Sequence, residues 1–228
     1  DQSYFLHAVD RAALSISEFP VGELPKDEVR ERARQAGLPV FAKRDSTGIC
    51  FIGERPFRRF LEGYLPAQPG PIETDEGEVV GEHGGLMYYT LGQRAGLGIG
   101  GRRGALDAPW YVAAKDLARN ALVVVQDAAH PLLMSVGLEA EQVHWIAGDP
   151  PDARVACAVQ VRYRQPPQAC VVTIEGTDRA RVAFEKPQRA VTPGQYAVFY
   201  DGDRCLGGGV IAAARIGLAG RPPRAATA

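Results

Sequence analysis

The stretch RVACAVQV, residues 154–161, alternates in character, with Val155, Cys157, Val159 and Val161 separated by smaller or polar residues. A period of two is typical of a β-strand with one buried face. Turn-forming residues separate this stretch from four further apolar runs, at 170–174, 181–184, 196–200 and 206–211. Five or six short strands at this rhythm predict a small barrel or sandwich.

The region before these strands is also rich in β patterns, but glycine and proline interrupt it more often. A cluster of Pro and Gly at 66–71 marks its boundary. Apolar residues on both sides of the acidic turn 75–77 predict a hairpin, and the runs 110–113 and 122–125 predict a second pair of strands. A small β-rich central module is therefore expected before the barrel.

The first part of the chain predicts helices. Over residues 25–37, Val29, Ala33 and Ala36 recur at helical spacing, and Gly37 suits the end of a helix. A second helix is predicted over 56–64, where a proline suits the first turn. Helices followed by β modules predict an α+β fold.

Composition is that of an ordinary globular protein, with 46% hydrophobic and 23% charged residues. The chain has no run of about 18 apolar residues, so no membrane helix is expected. It begins at Asp1 without a methionine, which suggests a fragment. The cysteines show neither a CxxC pair nor metal-ligand spacing, so a reduced, cytoplasmic protein without a metal site is expected; they are Cys50, Cys157, Cys170 and Cys205.

Charge is unevenly divided along the chain. Residues 1–150 hold 15 Lys/Arg and 21 Asp/Glu, a net charge of −6, whereas residues 151–228 hold 11 and 6, a net charge of +5. A basic C-terminal region suggests a polyanionic partner, although a chance scatter of surface arginines would give the same count.

One glycine-rich motif is a false lead. Residues 96–101 satisfy the pattern GxGxxG, which marks a dinucleotide site when it opens a helix after a strand. Arg102-Arg103-Gly104 and then Pro109 follow here, so no amphipathic helix can begin at this point. The glycines are instead expected to allow tight turns.

Eight short motifs are more specific than composition: DQSYFL at 1–6, FPVGEL at 19–24, DSTGICFIG at 45–53, YLP at 64–66, TLGQR at 90–94, RYRQ at 162–165, VTPGQ at 191–195 and CLGGG at 205–209. In this order they resemble the signatures of the bacterial tRNA-specific 2-thiouridylase family. The resemblance covers nearly the whole chain except its tail.

The resemblance implies a division into parts: residues 1–64 as the helical remnant of an ATP-pyrophosphatase-type catalytic domain, 65–134 as the central module and 135–217 as a tRNA-binding β-barrel. The tail, 218–228, is rich in Pro, Arg and Ala and is expected to be disordered. Family members also carry an SGGxDSS-like phosphate loop and a first catalytic cysteine, neither of which occurs in this sequence. ATP is therefore expected to bind in the missing N-terminal part. This chain alone is expected to bind no cofactor and to be inactive.

The implied reaction is sulfur transfer to the wobble uridine of tRNA. The family adenylates the uridine oxygen with ATP, and a persulfide sulfur then attacks the activated carbon, because the outer sulfur is nucleophilic and the S–S bond cleaves easily. Cys50 matches the persulfide-carrying cysteine and lies in a short polar stretch expected to be a loop. The first cysteine would release the sulfur and leave a disulfide with Cys50. The implied partners are tRNA and a persulfide sulfur donor or relay protein, with no membrane.

Five residues match the family's tRNA contacts: Asp1, Gln2, Arg162, Tyr163 and Gln195. Arginine binds phosphate, tyrosine stacks on a base or offers its hydroxyl, and glutamine pairs with a base edge or sugar. Arg162 and Tyr163 would point to opposite faces if they lay in a strand, so that one of them would be structural.

Two other functions stay open. A non-catalytic RNA-binding barrel would explain the basic C-terminal region but not the Cys50 loop. A thiol redox sensor would explain Cys50 but not the barrel.

Overall fold

The computed structural model describes residues 3–43, 64, 66–100 and 108–217. The strands and helices in these ranges are α1 (Ser3–Leu6), α2 (Arg11–Ser15), α3 (Lys26–Gln35), β1 (Gly70–Thr74), β2 (Val79–His83), β3 (Tyr111–Asp116), β4 (Ala121–Val125), β5 (Met134–Trp145), β6 (Arg154–Gln160), β7 (Gln168–Glu175), β8 (Arg179–Arg189), β9 (Tyr196–Asp201) and β10 (Arg204–Ile216). Within this described part, each helix is too short or too polar to cross a bilayer.

One compact unit comprises residues 12–66, and its described part contains α3. This helix confirms the prediction over 25–37. Acidic residues occupy its first turn and Arg32 and Arg34 its last, which suits the helix dipole. Gly37 follows at a φ of +69°, the left-handed conformation that commonly terminates a helix. The helix predicted over 56–64 lies outside the described residues, apart from Tyr64.

The other unit comprises residues 1–11 and 67–228, and its first part is a four-stranded sheet in the order β2-β1-β4-β3. The β1–β2 hairpin and the antiparallel β3–β4 pair are the two predicted pairs. Pairing between β1 and β4 is parallel and joins them into one sheet. Ile72, Val112, Leu122 and Val124 are fully buried in its core.

The second part of this unit is a closed barrel in the order β10-β5-β8-β7-β6-β9, and every neighbouring pair is antiparallel. Alternate inward-facing residues fill its core, among them Leu138, Val159, Val172, Val182, Phe199 and Ile211. The barrel and the central sheet confirm the α+β class. The sequence pattern does not predict β5, which begins at Met134, as a separate strand.

Arg162 and Tyr163 do not lie in a strand. Strand β6 ends at Gln160, and both residues belong to the loop 161–167 between β6 and β7. Arg164 has a φ of +67°, and two prolines, which have no N–H to donate to a ladder, follow at 166 and 167. These features end the strand, so the condition under which the two side chains would point to opposite faces is not met.

Strand β10 approaches its surroundings very closely at Gly208. A Cβ atom at this position would lie 2.6 Å from the carbonyl oxygen of Ala197 and 2.7 Å from Cδ2 of His7. Glycine therefore allows the segment that follows α1 to pack directly on the barrel wall.

We expect Gly208→Ala to lower the melting temperature, because the added carbon lies too close both to the Ala197 carbonyl oxygen and to the His7 ring. The expected loss of unfolding free energy is roughly 1–3 kcal/mol, as for other overpacked sites. Gly100→Ala is the matched control, since no atom of the described residues lies within 4 Å of its added carbon. Equal melting temperatures for the two variants would contradict this close packing.

Candidate functional site

Helix α1 is held on the barrel by Tyr4. The side chain is only 6% exposed and packs with Val198 and Tyr200. Its hydroxyl donates a hydrogen bond to the carbonyl oxygen of Tyr196 at 3.0 Å. Burial raises the pKa of this hydroxyl, so it stays protonated and remains a donor. A tyrosine used in this way combines a large buried ring with a satisfied polar end.

Tyr163 lies directly beside α1. Its ring centroid is 4.7 Å from that of Phe5 and 6.0 Å from that of Tyr4. The guanidinium carbon of Arg164 lies 5.4 Å from the same ring centroid, within the range of a cation–π contact. Tyr163 is therefore half-buried in an aromatic cluster that also stabilises the loop 161–167.

Phe5 is the most exposed ring of this cluster, with 52% of its surface open to solvent. Sequence reasoning did not assign Phe5 a role. The feature of the sequence that could have indicated Phe5 is its position in the DQSYFL motif, three residues after Gln2. The structure adds its contact with Tyr163, which makes Phe5 part of the same surface.

Arg162 connects the barrel to the central module. It is half-buried, and Nη2 donates to the carbonyl oxygen of Leu91 at 3.3 Å. Arg189, which sequence reasoning missed, donates to the carbonyl oxygen of the next residue, Gly92, at 3.2 Å. A guanidinium has five N–H donors, so the bond to Leu91 still leaves Arg162 donors for a phosphate.

Gln195 lies in a turn, as expected, and its backbone N–H bonds to the carbonyl oxygen of Thr192 at 3.2 Å. Its side-chain oxygen is buried and, among the described residues, makes no hydrogen bond. The next residue, Tyr196, accepts the Tyr4 bond and lies 4.8 Å from the His7 ring, centroid to centroid. The contacts of α1 therefore bring three segments together: 3–7, which contains α1 itself, 162–164 and 195–196.

The other predicted site residues, Asp1, Gln2 and Cys50, lie outside the described residues. Ser3 is the first described residue, and its Oγ lies 3.3 Å from the Tyr200 hydroxyl. The described part of the chain therefore begins beside Tyr200, at the same surface. In the part of the chain that the structure describes, no three His, Cys, Asp or Glu side chains form a metal-binding group.

His7 closes the contact between the end of α1 and the barrel. It is 3% exposed, and Nδ1 donates to the carbonyl oxygen of Tyr4 at 2.6 Å, since a carbonyl can only accept. Burial lowers the pKa of His7 below its ordinary value. Burial therefore favours the neutral imidazole, in which Nδ1 still carries the proton that it donates to Tyr4.

Comparison with known proteins places the chain in a family. Three domain models match in succession: the tRNA methyl transferase HUP domain over residues 1–54, the tRNA methyl transferase PRC-barrel domain over 58–126 and the aminomethyltransferase beta-barrel domain over 135–211. A tRNA-specific 2-thiouridylase of Thiobacillus denitrificans is 60% identical over 211 residues, which cover 92% of this chain and 59% of that protein. One from Burkholderia multivorans is 55% identical over 228 residues, all of this chain and 60% of that protein.

The chain belongs to the tRNA-specific 2-thiouridylase family. The resemblance drawn from the eight motifs is thereby confirmed. A further member of the family, from Chromohalobacter salexigens, is 60% identical over 92% of this chain and 55% of its own length. The chain thus spans between 55% and 60% of the length of these relatives.

We expect acid to weaken the packing of His7. Its folded pKa lies below the ordinary value of 6.5, so the unfolded chain binds the proton more readily. The stability contributed by neutral His7 is complete above pH 6.5 and is lost as the pH falls from there through the folded pKa.

Urea unfolding between about pH 5 and pH 8 tests this, because histidines titrate in that range. The wild type should lose more unfolding free energy on acidification than His7→Asn, which keeps an N–H donor but does not titrate. Both proteins share every other titratable group, so the difference reports the charge on His7 together with its interaction with His144. Parallel curves would show that His7 is not the titrating group.

Proposed function

We propose that this chain supplies the persulfide cysteine and the tRNA-binding barrel of an ATP-dependent enzyme that thiolates the wobble uridine of tRNA. The observation that carries the proposal is the meeting of three motif-bearing segments, 3–7, 162–164 and 195–196, around α1. Residues 3–6, 162–164 and Gln195 belong to motifs that contain the residues matching the family's tRNA contacts, and His7 and Tyr196 directly follow two of these motifs. The names of the relatives, tRNA-specific 2-thiouridylases, support the formation of 2-thiouridine in tRNA.

The barrel is proposed to bind tRNA mainly through charge. Residues 151–228 carry a net charge of +5, and neutralising phosphates releases counterions, so affinity depends strongly on salt. Arg162 is proposed to contact a phosphate while its bond to Leu91 fixes the guanidinium. Phosphate contacts position an RNA without reading its sequence.

Asp1 and Gln2 are proposed to contact the tRNA near the reactive uridine. Tyr163 and Gln195 are proposed to contact bases or sugars on the barrel side. Because Tyr163 already packs on Phe5, its ring can offer a base only part of its surface. Its removal is therefore expected to weaken both folding and binding.

Cys50 is proposed to carry the sulfur. The Cys50 thiolate attacks the outer sulfur of a persulfide protein, which leaves as a thiolate, and Cys50 then carries the sulfur as a persulfide. That outer sulfur attacks the uridine carbon, and the adenylated oxygen leaves as part of AMP. The first cysteine of the complete enzyme attacks the Cys50 sulfur, which breaks the S–S bond, leaves the sulfur on the uridine and forms a disulfide with Cys50. The sequence contains no SGGxDSS-like loop, so the residues of this chain do not fit an ATP site of that kind, and no step within the chain is assigned to ATP.

We expect Arg162→Ala to weaken tRNA binding and to reduce the salt slope of log affinity by about one, as for one lost phosphate contact. Arg154→Ala is the matched control, since this exposed arginine lies on the neighbouring strand β6 but at its opposite end. Binding is measured at several salt concentrations, with melting curves alongside. If affinity and salt slope are unchanged in folded Arg162→Ala, the RNA does not bind at loop 161–167.

In a complete enzyme that contains this chain, Cys50→Ser should abolish thiolation and leave tRNA affinity nearly unchanged, because the hydroxyl cannot carry a transferable sulfur. Cys205→Ser is the control, since Cys205 lies half-buried in β10, and it should affect stability more than turnover.

Mass spectrometry after incubation with a persulfide donor should find the added sulfur on Cys50. Normal thiolation by Cys50→Ser would refute the assignment. Binding of tRNA without any persulfide on Cys50 would favour the non-catalytic RNA-binding barrel.

A further inference from the structure

Two thiols that the proposed mechanism does not use face each other in the barrel. Cys157 of β6 and Cys170 of β7 are direct partners in the antiparallel register, and their Sγ atoms are 3.8 Å apart. Cys170 is buried and Cys157 is half-buried at the edge of the barrel core. Both are free thiols, 13 positions apart in sequence.

The backbone geometry suits a covalent bond between them. Directly opposed residues of antiparallel strands have Cα atoms about 4.5 or 5.5 Å apart, depending on the kind of pair. A disulfide accepts Cα separations of about 4.4–6.8 Å. Closing the gap between the sulfurs therefore needs rotation of the two side chains rather than a movement of the strands.

The two sulfurs are not equivalent. The hydrogen bond between the two thiols lowers the pKa of Cys157, while the same bond, together with burial, raises the pKa of Cys170. Cys157 is also the more accessible of the two. An oxidant arriving from solvent therefore meets Cys157 first, the thiol with the lower pKa, with a second thiol already in contact.

We propose that Cys157 and Cys170 form a reversible disulfide when the protein meets a peroxide. The Cys157 thiolate attacks one peroxide oxygen and breaks the O–O bond, which gives a sulfenic acid on Cys157 and hydroxide, protonated to water. The sulfur of Cys170 then attacks the sulfenic sulfur and forms the S–S bond, and the hydroxyl leaves as a second water. Two thiols are oxidised and one hydrogen peroxide is reduced to two waters.

This pair spans the hairpin formed by β6 and β7, whose loop 161–167 contains Arg162 and Tyr163. A bond between the strands would fix the two ends of that loop relative to each other. The inference concerns the thiols alone and stands whether or not the loop binds tRNA.

The test treats the whole folded chain with hydrogen peroxide, blocks the remaining thiols by alkylation and digests with trypsin without reductant. Cleavage after Arg154, Arg162, Arg164 and Arg179 gives peptides 155–162 and 165–179, each with one of the two cysteines. Mass spectrometry should find these peptides joined, and dithiothreitol should separate them. The melting temperature should rise by several degrees after oxidation and return after reduction.

Cys157→Ser and Cys170→Ser should each abolish the joined peptide, whereas Cys205→Ser, in the same barrel, should preserve it. Because a serine variant could lose its fold, the wild-type peptide map decides the question by itself. Separate peptides in the oxidised, folded wild type would overturn the proposal. A link from Cys157 to Cys50 or Cys205 in place of Cys170 would do so equally.

Discussion

The hydrogen bond from the Tyr4 hydroxyl to the Tyr196 carbonyl oxygen, and the burial of the ring that carries it, hold α1 on the barrel. A hydrogen bond of this kind contributes about 0.5–1.5 kcal/mol, whereas burying a large apolar side chain contributes about 1.5–3 kcal/mol. Burial of the ring thus stabilises the contact more than the hydrogen bond does, and the hydrogen bond fixes the orientation of the ring. The positions of Ser3, Phe5 and Tyr163 all depend on this one anchored residue.

Tyr4 can hold α1 in this position only because the barrel wall allows a close approach. Gly208 leaves the space that the His7 ring occupies, and His7 in turn binds the carbonyl oxygen of Tyr4. The loop 161–167 is fixed from two directions, by aromatic contacts with α1 and by the bond from Arg162 to Leu91. A surface held at several points in this way loses little conformational freedom when a ligand binds, which favours affinity.

Much of the fold could be predicted from local patterns. The spacing of apolar residues and Gly37 predicted α3, and period-two alternation predicted most of the barrel strands. Closure of the barrel and the parallel pairing of β1 with β4 depend on contacts between distant segments, which periodicity does not encode. The pairing of Cys157 with Cys170 likewise depends on register, set by the loop between the strands.

The candidate site was predictable only in part. The motifs identified Arg162, Tyr163 and Gln195, and the structure connects their segments through α1, yet the assigned roles remain proposals. Phe5 and Arg189 were missed because their importance comes from partners far away in sequence. The positions of Asp1, Gln2 and Cys50 stay predictions.

Amide hydrogen exchange with and without tRNA tests most directly whether the surface around α1 binds RNA. Slower exchange in the presence of tRNA is expected in segments 3–7 and 161–165, whose residues meet at Tyr163. Strand β2, in the central sheet, should exchange at the same rate in both samples. Protection confined to the central sheet, with unchanged exchange in both segments, would contradict an RNA surface around α1.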